Sequence, residues 1–131
     1  MRNLRVHHIG LVVYDMENSI ELYKNLGYIC SSDVIVDVSQ SNRIVFLNSP
    51  DEMQTIELVE AMTDASTVVN FKPGYHHVCY DVSSIPNFVE CFKALRVGKI
   101  FTQPMIAPAI NHKEVVFALL RNGLFVEFIL T

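Results

Sequence analysis

The chain has 131 residues, half of them hydrophobic and 18% charged, with a formal net charge of −4. That is enough for one folded domain with its own core, and it excludes a disordered tail or a disulfide scaffold built on the three scattered cysteines. The acidic balance and scattered Lys and Arg argue against nucleic acid, and no apolar run approaches the roughly 18 residues of a membrane span.

In chain order, Leu4 to Tyr14 reads as a strand with Ile9, Leu11 and Val13 on one face and His8 and Gly10 on the other. This opening leaves no secretion signal, so a cytoplasmic protein is expected. Asp15 is placed to cap a helix whose apolar positions are Met16, Ile20, Tyr23 and Leu26, with Gly27 as its stop. Strands are expected over Tyr28–Val38, Arg43–Asn48 and Gln54–Glu60, the last two joined through Asn48-Ser49-Pro50-Asp51. A polar stretch from Thr63 to Gly74 follows, and the pattern then starts again. Tyr75–Val82 reads as a strand and Ser83 or Ser84 as a cap, with Pro86 in the first helical turn. Phe88, Phe92 and Leu95 form a buried stripe. Further strands are expected near Lys99–Gln103, Glu114–Leu120 and Leu124–Leu130, with Asn122-Gly123 as a type I′ hairpin.

The chain is therefore read as two βαβββ modules, residues 1–62 and 75–131, joined by a linker over 63–74 within a single domain. The predicted class is α+β, with a curved mixed sheet around a cavity and the helices outside. Sliding by 77 − 8 = 69 residues brings Val6-His7-His8-Ile9 onto Tyr75-His76-His77-Val78. One further residue of shift brings Thr55-Ile56-Glu57-Leu58 onto Phe125-Val126-Glu127-Phe128, and Arg43 onto Lys113. Strand alternation sets His8, Glu57, His77 and Glu127 opposite to the apolar residues that flank them.

Singly, each Glu is what the solvated side of a half-buried strand carries, and each His is a common structural side chain. Their recurrence as a pair in both modules favours a metal site of two imidazoles and two carboxylates, His8, Glu57, His77 and Glu127. Such N and O donors suit Ni, Co, Zn, Mn or Fe(II). His7 and His76 fall on the helix side, where a supporting role is expected. His112 lies in a turn and reads as solvated, and Cys79 as a small buried hydrophobe. Arg43 and Lys113 read as strand-end charges before anion ligands. Phe46, Met53 and Phe101 fit either a core or a pocket wall.

The His-His-Ile-Gly opening, the first Ile-Glu-Leu, the second His-His-Val and the terminal Val-Glu-Phe resemble the vicinal oxygen chelate superfamily over essentially the whole chain. That group holds glyoxalase I, methylmalonyl-CoA epimerase, fosfomycin resistance enzymes, bleomycin-binding proteins and extradiol dioxygenases. Gly74 to Val82 and Ile106 to Phe117 are similar to its epimerase-like branch, whose members often carry the label lactoylglutathione lyase. By motif position the resemblance makes His8, Glu57, His77 and Glu127 the metal ligands. It implies a lyase or isomerase acting on a small carbonyl compound or thioester, by proton abstraction beside the carbonyl and a metal-stabilised enediolate. Glu127 is the expected base and Glu57 its counterpart, and a homodimer is expected. The epimerase's additional glutamate is missing, since Ser39-Gln40-Ser41-Asn42 offers no carboxylate. The alternative is a protein that binds an antibiotic or other small molecule without chemistry.

Overall fold

The computed structural model describes residue 1 and residues 3–130, which form two compact units. One comprises residues 8–76 and is called the N-terminal unit here. The other comprises His77–Thr131 together with Met1–His7, and is called the C-terminal unit. Each holds a mixed sheet and one α-helix, the α+β class and tandem module order that the sequence predicts.

The N-terminal unit uses β1 (Arg5–Val12), α1 (Met16–Asn25), β2 (Ile29–Cys30), β3 (Ile35–Asp37), β4 (Asn42–Asn48) and β5 (Thr55–Ala61). β5 is central, parallel to β1 on one side and antiparallel to β4 on the other, while β2 and β3 both pair with β4. The carboxylate of Asp15 accepts a hydrogen bond from the Asn18 amide at 3.0 Å, so the expected cap is in place. Gly27 follows at φ +94°, a left-handed turn that a residue without Cβ adopts freely. Met16 is fully buried against Val45, Leu47, Ile56 and Leu58, with Leu11, Val13, Ile20 and Tyr23 around them. Leu26 departs from the expected stripe. It is the C-cap rather than part of the last turn, and it stays exposed.

A second anchor for α1 was not expected. Glu60 accepts from the Met16 amide at 2.7 Å and from Arg43 at 2.8 Å, and Arg43 also pairs with Glu17 in the first helical turn. Arg43 is thus a clasp between helix and sheet, and its guanidinium holds the Glu17 carboxyl below the usual carboxylate range. Residues 63–74 are tied to the same unit. Ser66 donates to Asn42 at 2.5 Å, Asn42 donates to Thr67, and the Thr67 amide reaches the Gln40 carbonyl.

The C-terminal unit repeats the plan with β6 (Gly74–Asp81), α2 (Phe88–Leu95), β7 (Gly98–Ile100), β8 (Met105–Ala107), β9 (Lys113–Leu120) and β10 (Phe125–Leu130). β10 runs parallel to β6 and antiparallel to β9, and β7 and β8 both pair with β9. Its core is Val82, Phe88, Phe92, Val116, Ala118, Val126 and Phe128.

Four local expectations are corrected here. First, α2 begins at Phe88, after Asn87 in the left-handed region, so neither Ser83 nor Ser84 is its cap. Instead the Ser83 amide bonds the Asp81 carboxylate, and Ile85, disfavoured from helix by Pro86, closes a turn on Val82. Leu95 ends that helix and is exposed, because Arg96 turns left-handed immediately after it. Second, the hairpin at Asn122-Gly123 is not type I′, since only Gly123 has positive φ. Gly123 bonds back to the Leu120 carbonyl and Leu120 to that of Leu124, giving a three-residue loop that ends in a left-handed glycine.

Third, the long strand predicted over Tyr28–Val38 is broken into β2 and β3, and the one near Lys99–Gln103 into β7 and β8. A hydroxyl causes each break. The Ser31 amide donates to the Phe46 carbonyl, and the Phe46 amide then bonds the Ser32 hydroxyl at 3.0 Å. In the other unit the Phe101 amide donates to the Phe117 carbonyl, and the Phe117 amide bonds the Thr102 hydroxyl at 2.9 Å. A side chain thus takes the place of the next ladder carbonyl and the strand bends away. Fourth, the repeat slips by one more residue than expected. Arg43 pairs with Glu60 and Glu114 with Leu130, so Arg43 corresponds to Glu114 and not to Lys113. The turn before β9 holds two consecutive left-handed residues, Asn111 and His112, where the turn before β4 has one, Ser41.

Candidate metal centre

Parallel pairing sets β1 beside β5 with Gly10 opposite Glu57, and β6 beside β10 with Cys79 opposite Glu127. In each unit the His two residues earlier on the first strand then faces the Glu. His8 Nε2 lies 3.6 Å from Glu57 Oε1, and His77 Nε2 lies 3.2 Å from Glu127 Oε1. All four residues are buried, with relative exposures of 0%, 5%, 2% and 4% in that order along the chain. A solvated strand face, the simplest reading of the isolated glutamates, is therefore excluded.

Both separations exceed the roughly 2.7–2.9 Å of a charge-assisted N–H···O hydrogen bond. They match two neighbouring donors on one ion, since bonds of about 2.0–2.2 Å place adjacent donors roughly 2.8–3.6 Å apart. The residues present fit a divalent ion in donor type, spacing and burial.

Each pair has an aromatic wall. The Phe46 ring meets the His8 imidazole edge-on at 5.1 Å, and Phe117 meets His77 at 5.8 Å. Phe46 is also the cross-strand partner of Glu57, and Phe117 that of Glu127. Phe46 was open to a core or a wall role, and the structure makes it a wall. Phe117 was missed, because its equivalence to Phe46 is visible only once the one-residue slip is known. Ser32 and Thr102, which bend the preceding strands, hold the backbones of these same two phenylalanines. Replacing Thr102 with Val is expected to leave the Phe117 amide without that acceptor and to lower stability by about 1–3 kcal/mol, measured by urea unfolding.

The remaining candidates separate clearly. Cys79 is fully buried beside Glu127, as a small hydrophobe would be, and among the described residues no disulfide forms. His76 packs edge-on against Phe71, and His112 is exposed in its turn. Met53 is exposed in the loop before β5 and Phe101 is half-exposed on β7's edge, so neither belongs to a core. Asp37 shares the face of Glu57 and is buried, but its carboxylate is committed to Ser39, the Gln40 amide and the Gln40 side chain. Among the described residues, no helix is long and apolar enough to cross a membrane.

Comparison with known proteins agrees with this architecture. Mitochondrial methylmalonyl-CoA epimerase of Dictyostelium discoideum is 29% identical over 130 residues, covering 94% of this chain and 76% of that protein. Among solved structures, a hypothetical protein from Bacillus halodurans C-125 superimposes with a TM-score of 0.83 at 21% identity, over 98% of this chain and 95% of that one. Methylmalonyl-CoA epimerase from Mycobacterium tuberculosis gives 0.81 at 19% identity, over 95% and 86%. A Streptomyces coelicolor methylmalonyl-CoA epimerase variant in complex with 2-nitronate-propionyl-CoA gives 0.78 at 17%, over 97% and 96%. At these identities the structural matches establish the fold. Residues 7–117 match the Glyoxalase/Bleomycin resistance protein/Dioxygenase superfamily, and the chain belongs to that family.

Proposed function

We propose that this protein is a metal-dependent isomerase that epimerises an acyl-CoA thioester at the carbon beside its carbonyl. The observation that carries the reading is the buried His–Glu pair, repeated with the same strand placement and the same aromatic wall in both units. The relative from D. discoideum, whose name is that of an acyl-CoA epimerase, supports the choice of substrate.

His8, Glu57, His77 and Glu127 are the proposed ligands, one His–Glu pair from each unit. Four donors leave positions for substrate oxygens on an ion that accepts six. A bound divalent ion would supply Lewis-acid polarisation of the thioester carbonyl, which acidifies the neighbouring C–H. Glu127 accepts the proton from that carbon, and a carboxylate is a competent base once it is released from coordination. Glu57, its counterpart in the repeat, returns a proton to the other face. His8 and His77 are held by Phe46 and Phe117, and burial of all four side chains keeps water from the proton in transit.

The test is proton exchange. Metal-loaded protein incubated with methylmalonyl-CoA in deuterated water is expected to wash deuterium into the α-position and to racemise a single epimer. Tight binding of the thioester with neither exchange nor racemisation would overturn the reading in favour of a binding protein.

A further inference from the structure

The C-terminal unit holds a cleft of about 840 Å³ with Lys93, Arg96, Lys99 and Arg121 around it and Ile100 and Leu120 in its floor. These four are close to half of the chain's ten Lys and Arg residues, and no carboxylate lines the cleft, in a protein of net charge −4. Two features shape it. Arg121 donates to the Arg96 carbonyl at 3.3 Å, which tethers its guanidinium beside the end of α2. Gly98 brings β7 so close to β9 that a Cβ there would stand 2.5 Å from the Leu119 carbonyl oxygen.

Register connects the cleft to Glu127. Phe125 lies two residues from Glu127 on the same face of β10, pairs with Leu119, and Leu119 pairs with Lys99. Lys99 is therefore two residues along and two strands across from Glu127, about 12 Å away. Between them the face is apolar and open, with Phe101 against Phe125 at 5.8 Å and both Phe101 and Leu119 exposed. The pantetheine arm of coenzyme A, which joins the thiol to a diphosphate, is about as long as four extended residues, ~13 Å.

We infer that this cleft binds the phosphate groups of the substrate's carrier, with the pantetheine arm lying over Phe125, Phe101 and Leu119. The inference rests on the thioester reading above and adds to it where the carrier is held. Guanidinium and ammonium groups are the donors that recognise phosphate, and exposed ones act within a screening length of about 10 Å at 0.1 M salt.

Calorimetric titration with coenzyme A and with inorganic pyrophosphate tests it, on wild type and on a Lys93→Gln/Lys99→Gln double variant. Both lysines are exposed, so the variant is expected to keep the wild-type thermal midpoint. The expected result is binding of both probes to wild type, weakened by added salt and by about tenfold in the double variant. Lys99→Glu alone should weaken both probes as well. Equal affinity in wild type and variants, or no binding of pyrophosphate, would overturn the inference. The readout needs no turnover, so failure of the epimerase reading would show separately, as absent α-proton exchange in wild type.

Discussion

Glu127→Gln is expected to lower α-proton exchange by about 10²- to 10⁴-fold, the usual contribution of a positioned general base. Glutamine keeps the size of the side chain and an oxygen that can face His77 Nε2, at 3.2 Å in the native pair, but it cannot accept a proton. The fold should survive, since the neighbouring packing at Phe117 and Cys79 is unaltered. Circular dichroism with exchange measured at saturating substrate separates the two effects. Glu57→Gln should also be severe, yet its signature differs. If Glu57 only returns the proton, exchange from one epimer persists while interconversion is lost. Full activity in Glu127→Gln would remove Glu127 from its proposed role.

Phe128→Ala is expected to cost about 3–5 kcal/mol of stability, a large part of what a domain of this size possesses. Phe128 is 3% exposed and touches three rings, Phe88 at 4.5 Å, Phe92 at 5.4 Å and Tyr80 at 5.8 Å. It joins α2 to the sheet, so a cavity there leaves the helix without its main contact. It is also next to Glu127 on β10, facing the opposite way. Weakening one face of this strand should therefore loosen the His77–Glu127 pair on the other. Urea unfolding of the metal-free protein measures the loss, and a change below about 1 kcal/mol would mean that the core of this unit lies elsewhere.

The site was more legible in the sequence than the details of the fold. Strand alternation alone separates Glu127 from Val126 and Phe128, and the structure buries those two in the core, as that pattern requires. The Asp15 cap and the glycine after α1 are likewise local rules written in local residues. What escaped was non-local. Nothing in Ser32 or Thr102 announces that a hydroxyl will take a hydrogen bond from a phenylalanine amide about fifteen residues away and split a strand. The second left-handed residue before β9 is equally silent, and without it Arg43 aligns with Lys113 and Phe117 loses its likeness to Phe46. Burial of the glutamates was also beyond reach, because an isolated Glu on a strand is usually solvated. The partners that hold Arg43, Glu17 and Glu60, come from a helix and an adjacent strand, so its clasp could not be read from its own segment.

The central claim is that the two His–Glu pairs bind metal, and elemental analysis of purified protein tests it most directly. Wild type reconstituted with Co, Ni, Mn or Zn and then desalted should retain about one ion per chain. His77→Ala and His8→Ala should each lose it, since a centre built from both pairs cannot spare either imidazole. Wild-type protein that holds no ion after reconstitution, or a His77→Ala variant that holds as much as wild type, would contradict the account.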